Sequence, residues 1–294
     1  MIQAAVLALT ASILIGATTI LLTECVKRTN PVLTMLVVTL VGTIVFMSLA
    51  LPTIPLSYLK SPAVWFFVIA GIFSPALVRW IYLVSLKRIG ASISSSILAT
   101  GPAFTAIIAV VFLKEQATLS IALGITAIVC GIIFFERQHN EDSGPQNRRK
   151  RDLLLPLLAA LFFSLAVVLR KKGLLILDSP LLGVTAGFGT SLLVYLLMLL
   201  FSAKMRRSIS IAKKDLPLLV GTGVFMTAAW FCIFKALSTG DAIVVTPLAS
   251  LHPLVVVGFS KLFLKDQSEV SPKIILGAVL VVTGIVLITI DQAR

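Results

Sequence analysis

Residues 101–120 read GPAFTAIIAVVFLKEQATLS, and residues 252–271 read HPLVVVGFSKLFLKDQSEVS. Laid on one another without a gap, they match Pro102 to Pro253, Phe112-Leu113-Lys114 to Phe263-Leu264-Lys265, Glu115 to Asp266 and Gln116 to Gln267. The likeness continues outward on both sides. Trp80 and Gly90 fall on Trp230 and Gly240, while Gly124 and Gly131 fall on Gly277 and Gly284. One structural unit is used twice.

That unit is built for lipid. Of 294 residues, 58% are hydrophobic and 13% charged, with a mean hydropathy of +1.07, which a water-soluble domain of this size could not carry on its surface. A spanning helix needs about 20 mostly apolar residues. Ten such stretches fall near residues 2–23, 32–50, 63–86, 91–113, 119–136, 153–170, 181–201, 216–237, 242–264 and 273–290. Runs such as LLLPLLAALFFSLAVVL (153–169) lack the every-second-residue polarity of membrane strands, so the spans are helices. MIQAAVLALT at the start has no positively charged leader region and reads as a first span, not a secretory signal.

The fold class expected is an all-α polytopic membrane protein of ten transmembrane helices in two five-helix repeats. Five is odd, so the second copy enters the membrane from the opposite face and the repeats are inverted. The expected division is 1–137 for the first repeat, 138–151 for a basic central loop and 152–294 for the second.

A net charge of +13 in a soluble protein would suggest nucleic acid. Here the cations crowd the span ends and report orientation, so no nucleic-acid partner is expected. Seventeen of the 25 Lys and Arg fall on the side of the central loop and seven on the other, among them Arg170, Lys171 and Lys172, with Arg79 left inside the third span. The positive-inside rule then puts the central loop in the cytoplasm and both termini outside the cell membrane, for a bacterium the inner membrane. Membrane lipids are natural partners of the RRKR run at 148–151.

The two-by-five arrangement resembles the drug/metabolite transporter superfamily, its EamA-type branch in particular. The resemblance rests on a fourth span of small and hydroxylated residues around a proline (Ala91 to Pro102), a Leu-x-Glu turn (Leu113, Lys114, Glu115) and a glycine-bearing fifth span. The second half departs in having Asp266 for the glutamate and His252 before its proline. The resemblance implies transport of a small molecule but does not choose among amino acids, amines, sugars, nucleotide derivatives and lipid-linked intermediates. It also implies termini on the inside, against the charge pattern.

The polar residues within the spans are the candidates for a site. Ser92, Ser96 and Thr100 recur every four residues on one face of the fourth span. Pro75, Pro102 and Pro253 each remove a backbone hydrogen bond within a span and are candidate hinges. His252 lies about ten residues from either end of the ninth span, and an ionisable group there is functional by default. Trp230 and Tyr82 offer aromatic faces, and Trp80 is equally suited to the membrane interface. Arg79 follows Pro75 by four residues and precedes Tyr82 by three, an arrangement suited to clamping a carboxylate or phosphate.

These residues predict a secondary transporter, working as an exporter of an anionic or zwitterionic metabolite by alternating access. The substrate contacts would be Arg79, Tyr82, Ser96, Thr100, Trp230 and His252. A flippase for a lipid-linked substrate and a cation or amine exporter are the alternatives. Coupling to protons is left open, as is the oligomeric state. No zinc-protease, Ser/His/Asp or phosphate-loop motif is present, so neither an enzyme nor direct drive by ATP is expected, and no cofactor or metal. Cys25, Cys130 and Cys232 have no metal-ligand spacing.

Overall fold

The structure, a computed structural model, describes residues 2–29, 31–89, 91–139, 150–201, 213–263 and 272–293. Most of the central loop, including Ser143, and the Lys265-Asp266 turn lie outside the described residues. Among the described residues, ten spans are built from thirteen α-helices because three spans are interrupted. The first and second are α1 (Ile2–Arg28) and α2 (Pro31–Thr53). The third is α3 (Ala63–Gly71), a π-helical turn (Ile72–Leu77) and α4 (Val78–Ile89). The fourth is α5 (Ala91–Leu98) followed by α6 (Gly101–Leu113), and the fifth is α7 (Leu119–His139). In the second half come α8 (Leu154–Ile176), α9 (Pro180–Phe201), α10 (Leu216–Thr239), the divided pair α11 (Ala242–Ala249) and α12 (His252–Phe263), and α13 (Pro272–Ala293). Seven helices are long and apolar enough to cross a membrane by length and composition, and the fifth, ninth and tenth spans carry shorter apolar helices among the described residues.

Helices are required because lipid offers backbone N–H and C=O groups no partners outside the segment. Outward faces are apolar to suit: Leu193, Leu196, Leu197, Leu200 and Phe201 of α9 are exposed, as are Ile107, Val111 and Phe112 of α6. Inward faces are made of small residues that let backbones approach. Ala4, Ala8 and Ala11 of α1 are fully buried.

The packing has the pseudo-symmetry of inverted repeats. α1 packs on α10 and α8 on α3 and α4, α2 packs on α9, α6 on α11, and α7 on α13. Exchanging the halves turns α1 on α10 into α8 on α3 and α4, and turns α2 on α9 and α7 on α13 into themselves. The direction of crossing is read from the glycines. A Cβ on Gly124 would sit 2.9 Å from the Gly284 carbonyl oxygen, and one on Gly131 would sit 2.7 Å from that of Gly277. Because Gly124 and Gly277 are repeat equivalents, as are Gly131 and Gly284, the two helices run antiparallel.

The sixth span departs from expectation. It does not end at 170 but continues to Ile176, because GLLIL (173–177) resumes the apolar run after Arg170-Lys171-Lys172. Arg170 and Lys171, expected in a loop, lie inside α8 and are buried.

Candidate functional site

Three interruptions organise the interior. In the third span, Pro75 has no N–H to give and pushes the preceding residue out of helical geometry. Ser74 accordingly has φ −141° and ψ 130°. The carbonyls freed around it find partners on the second repeat. Ser191 Oγ donates to Gly71 O at 2.8 Å, Tyr195 Oη to Pro75 O at 3.4 Å, and Arg170 Nη2 to Ser74 O at 2.6 Å.

The fourth and ninth spans break at matching places, after Leu98 and after Ala249. The prolines were expected to bend continuous helices from within. They stand instead in the first turns of α6 and α12, where a missing N–H costs nothing, and each break lies just before them. Ser164 Oγ donates to Gly101 O at 2.9 Å, one of the ties that hold the fourth-span break against α8. The break also ends the four-residue stripe. Thr100 sits in the turn, its hydroxyl donating to Ile97 O at 2.6 Å, so it no longer continues the face that carries Ser96.

Five buried side-chain atoms have no hydrogen-bond partner among the described residues, and four of them flank these two breaks: Ser96 Oγ, Thr105 Oγ1, Thr246 Oγ1 and His252 Nδ1. Ser96 and Thr246 are repeat equivalents by the register of Gly90 and Gly240. Each orphaned group costs about 1–3 kcal/mol. Four such groups concentrated at paired helix breaks are a polar surface without a protein partner.

Arg170 lies nearby in the fold, beside the third-span break. It is 2% exposed. Its Cζ stands 4.6 Å from the centre of the Trp230 ring and 5.6 Å from that of Phe234. Trp230 in turn meets Phe188 edge to face at 6.2 Å. Lys171, one residue on and 6% exposed, points toward the end of the bundle. Its Nζ donates to Leu237 O at 3.0 Å and Gly240 O at 2.8 Å, and lies 4.0 Å from an oxygen of Asp241. Cations at a helix C-terminus complement its unpaired carbonyls.

Glu115, in the turn after α6, completes this end cluster from the other repeat. It receives the backbone N–H groups of Ala242 and Ile243. Burial pushes its carboxyl above the usual range, against the lowering effect of the two N–H groups, with Asp241 adding to the rise and Lys171 opposing it.

The expected site residues are thus distributed. Trp230 is brought against Arg170 at the third-span break. Ser96, Thr100 and His252, with Pro102 and Pro253, sit at the paired breaks. Arg79 and Tyr82 are half-buried on α4, with Arg79 close enough to Tyr195 for its charge to act there. The π-helical turn interrupts the register that was expected to align Pro75 with Arg79. Sequence reading missed Arg170, Lys171 and Thr246. The signal for the first two was the apolar run that follows them.

Comparison with known proteins agrees with this architecture. A model of the EamA-like transporter family matches residues 2–136 and 150–290. An uncharacterized protein of Methanocaldococcus jannaschii is 32% identical over 97 residues, spanning 33% of this chain and 69% of that protein. A protein of known crystal structure, 17% identical, superposes with a TM-score of 0.80 over 99% of this chain and 98% of its own, a likeness of fold.

Proposed function

Since the chain belongs to the EamA-like transporter family, a family of multi-pass membrane carriers and not of enzymes, we propose that it exports a small anionic or zwitterionic metabolite by alternating access between its two repeats. The observation that supports this reading is the set of orphaned polar atoms at the matching breaks of the fourth and ninth spans. Paired interruptions in two inverted halves are where such carriers hold their cargo. A ligand hydroxyl, amine or acid would satisfy Ser96, Thr246 and His252 at once, repaying a cost that packing alone leaves open. Rocking of one repeat on the other would then move the site from one face to the other. Pro75, Pro102 and Pro253 mark the hinges, and Arg79, Tyr82, Thr100 and Trp230 are further contact positions. The central loop faces the cytoplasm in this reading, with both termini outside.

A thermal-stability screen of the purified chain over amino acids, amines, organic anions and phosphorylated metabolites tests it, because a ligand that binds only the folded state raises apparent stability by mass action. The hit should be transported by proteoliposomes. The double variant Ser96→Ala/Thr246→Ala should lose most of both responses while remaining monodisperse. Undiminished binding and transport in that variant would move the site away from the breaks.

A further inference from the structure

We propose that Arg170 is the anchor for an oxyanion on the substrate, a carboxylate or a phosphoryl group, with Trp230 holding its guanidinium in the plane that receives it. This rests on the carrier reading above and names the chemistry of its ligand.

The Arg170 guanidinium lies deep in the bundle. Trp230 and Phe234 precede Gly240, at the end of α10, by ten and six residues, so the guanidinium over them lies about 9–15 Å into the bundle at 1.5 Å per residue. The hydrocarbon core is about 30 Å thick. A charge at such depth is costly and faces the protein interior or a functional pathway.

The protein answers that charge with two aromatic rings and a carbonyl, and with no anion among the described residues. A guanidinium carries five N–H donors, and among the described residues Arg170 makes one hydrogen bond to the protein, to Ser74 O. Among the described residues no carboxylate stands within ion-pair distance of it; the pairs found are Glu24 with Arg28, Asp152 with Arg88 and Asp241 with Lys171. Pinning a freed carbonyl does not require a cation. The two neighbouring carbonyls of the same break, on Gly71 and Pro75, are held by the neutral hydroxyls of Ser191 and Tyr195. Lys171 differs in this respect, since both a helix C-terminus and Asp241 answer its charge.

Contact with the face of Trp230 leaves the in-plane edges of the guanidinium for hydrogen bonding. Those edges match the two oxygens of a carboxylate or two of a phosphoryl group. Arg79 is half-buried and so lacks the full desolvation that strengthens such a pair.

Trp230 also reports on the site. Trp65 and Trp80 are 69% and 43% exposed, and replacing both by Phe leaves Trp230 as the one indole of the chain's three. In that background, succinate, inorganic phosphate and the neutral succinamide are titrated into the purified full-length protein at constant ionic strength. Succinate or phosphate should produce a saturable change in Trp230 emission and a rise in melting temperature, and succinamide neither. A response to succinate alone assigns a carboxylate, and a response to phosphate alone a phosphoryl group. Arg170→Lys should bind about tenfold more weakly and Arg170→Gln not measurably, each eluting as the folded species. Equal responses in Arg170→Gln, an equal response to succinamide, or no response to either oxyanion up to about 100 mM overturns the anchor. Transport of a neutral or cationic substrate, unaffected by Arg170→Gln, would remove the anchor and leave the carrier standing. Absence of transport for every ligand that stabilises the protein would remove the carrier reading itself.

Discussion

The carboxylate of Glu115 grips the start of the helix at Ala242, Oε1 accepting the Ala242 N–H and Oε2 the Ile243 N–H, each at 2.9 Å. The acid belongs to the first repeat and the helix to the second, so a single side chain ties the halves together at one end of the bundle. Replacing it by Ala should cost about 0.5–2 kcal/mol, the range for loss of a helix N-terminal cap, and Glu115→Gln less. Burial raises the Glu115 pKa above its unfolded value of 4.5, so the folded protein binds this proton more tightly than the unfolded chain. Its contribution to stability is therefore full below pH 4.5 and is lost as pH rises from there through the raised folded value. Melting curves of wild type and Glu115→Gln from about pH 4 upward should converge along that rise. A gap that widens with pH would mean that the ionised form is the one the fold favours.

Lys171 holds the same end from the other side, bonded to the last carbonyls of α10. Lys171→Met keeps the stem and removes the donor. It should lower stability by about 1–3 kcal/mol, the cost of orphaned buried acceptors, measured by thermal unfolding in detergent. No change in unfolding would reduce the contact to incidental.

The α7–α13 crossing should tolerate no added carbon. A Cβ on Gly124 would meet Ile288 at 2.6 Å, and one on Gly131 would meet Val281 at 2.6 Å. Gly124→Ala and Gly131→Ala should each cost about 1–3 kcal/mol by overpacking. Gly221, whose Cβ would meet nothing within 4 Å, should accept Ala without loss. Equal stability of all three variants would show that the helices can part at no cost.

His252 opens α12, its Nδ1 buried without a hydrogen bond of good geometry among the described residues. His252→Ala should abolish transport while expression is retained. Unchanged transport would assign the ring to packing against α1, where its carbonyl lies 3.3 Å from a Cβ built on Gly16.

The positive-inside rule predicts the orientation. A cysteine at Ser143, in a background without Cys25, Cys130 and Cys232, should be shielded from an impermeant thiol reagent in intact cells. The ion pair of Arg88, at the end of the third span, with Asp152, at the start of the sixth, at 2.9 Å puts those two span ends on one face of the membrane. Labelling without permeabilisation would invert the protein and leave its fold intact.

The ten spans and their duplication were legible because hydropathy and repeat register are local. A run of apolar residues must be helical in lipid whatever surrounds it, and an odd repeat must invert. The glycines of the fifth and tenth spans likewise announced close packing before their partner was known. Arg170 was illegible for the opposite reason. Charges most often end a span, so a cluster of three read as a boundary. Whether a cation is buried depends on what meets it, and here that is a carbonyl 96 residues away, freed by a proline in the other repeat, beneath an indole of the eighth span. The positions of the breaks were half legible: proline marked the neighbourhood, but whether it bends a helix from within or opens a new one depends on which groups accept the liberated backbone. The sequence alone determined that this chain is a ten-span inverted repeat. Only the tertiary structure decided which polar groups are left without partners, because satisfaction of a hydrogen bond is a property of two places in the chain at once.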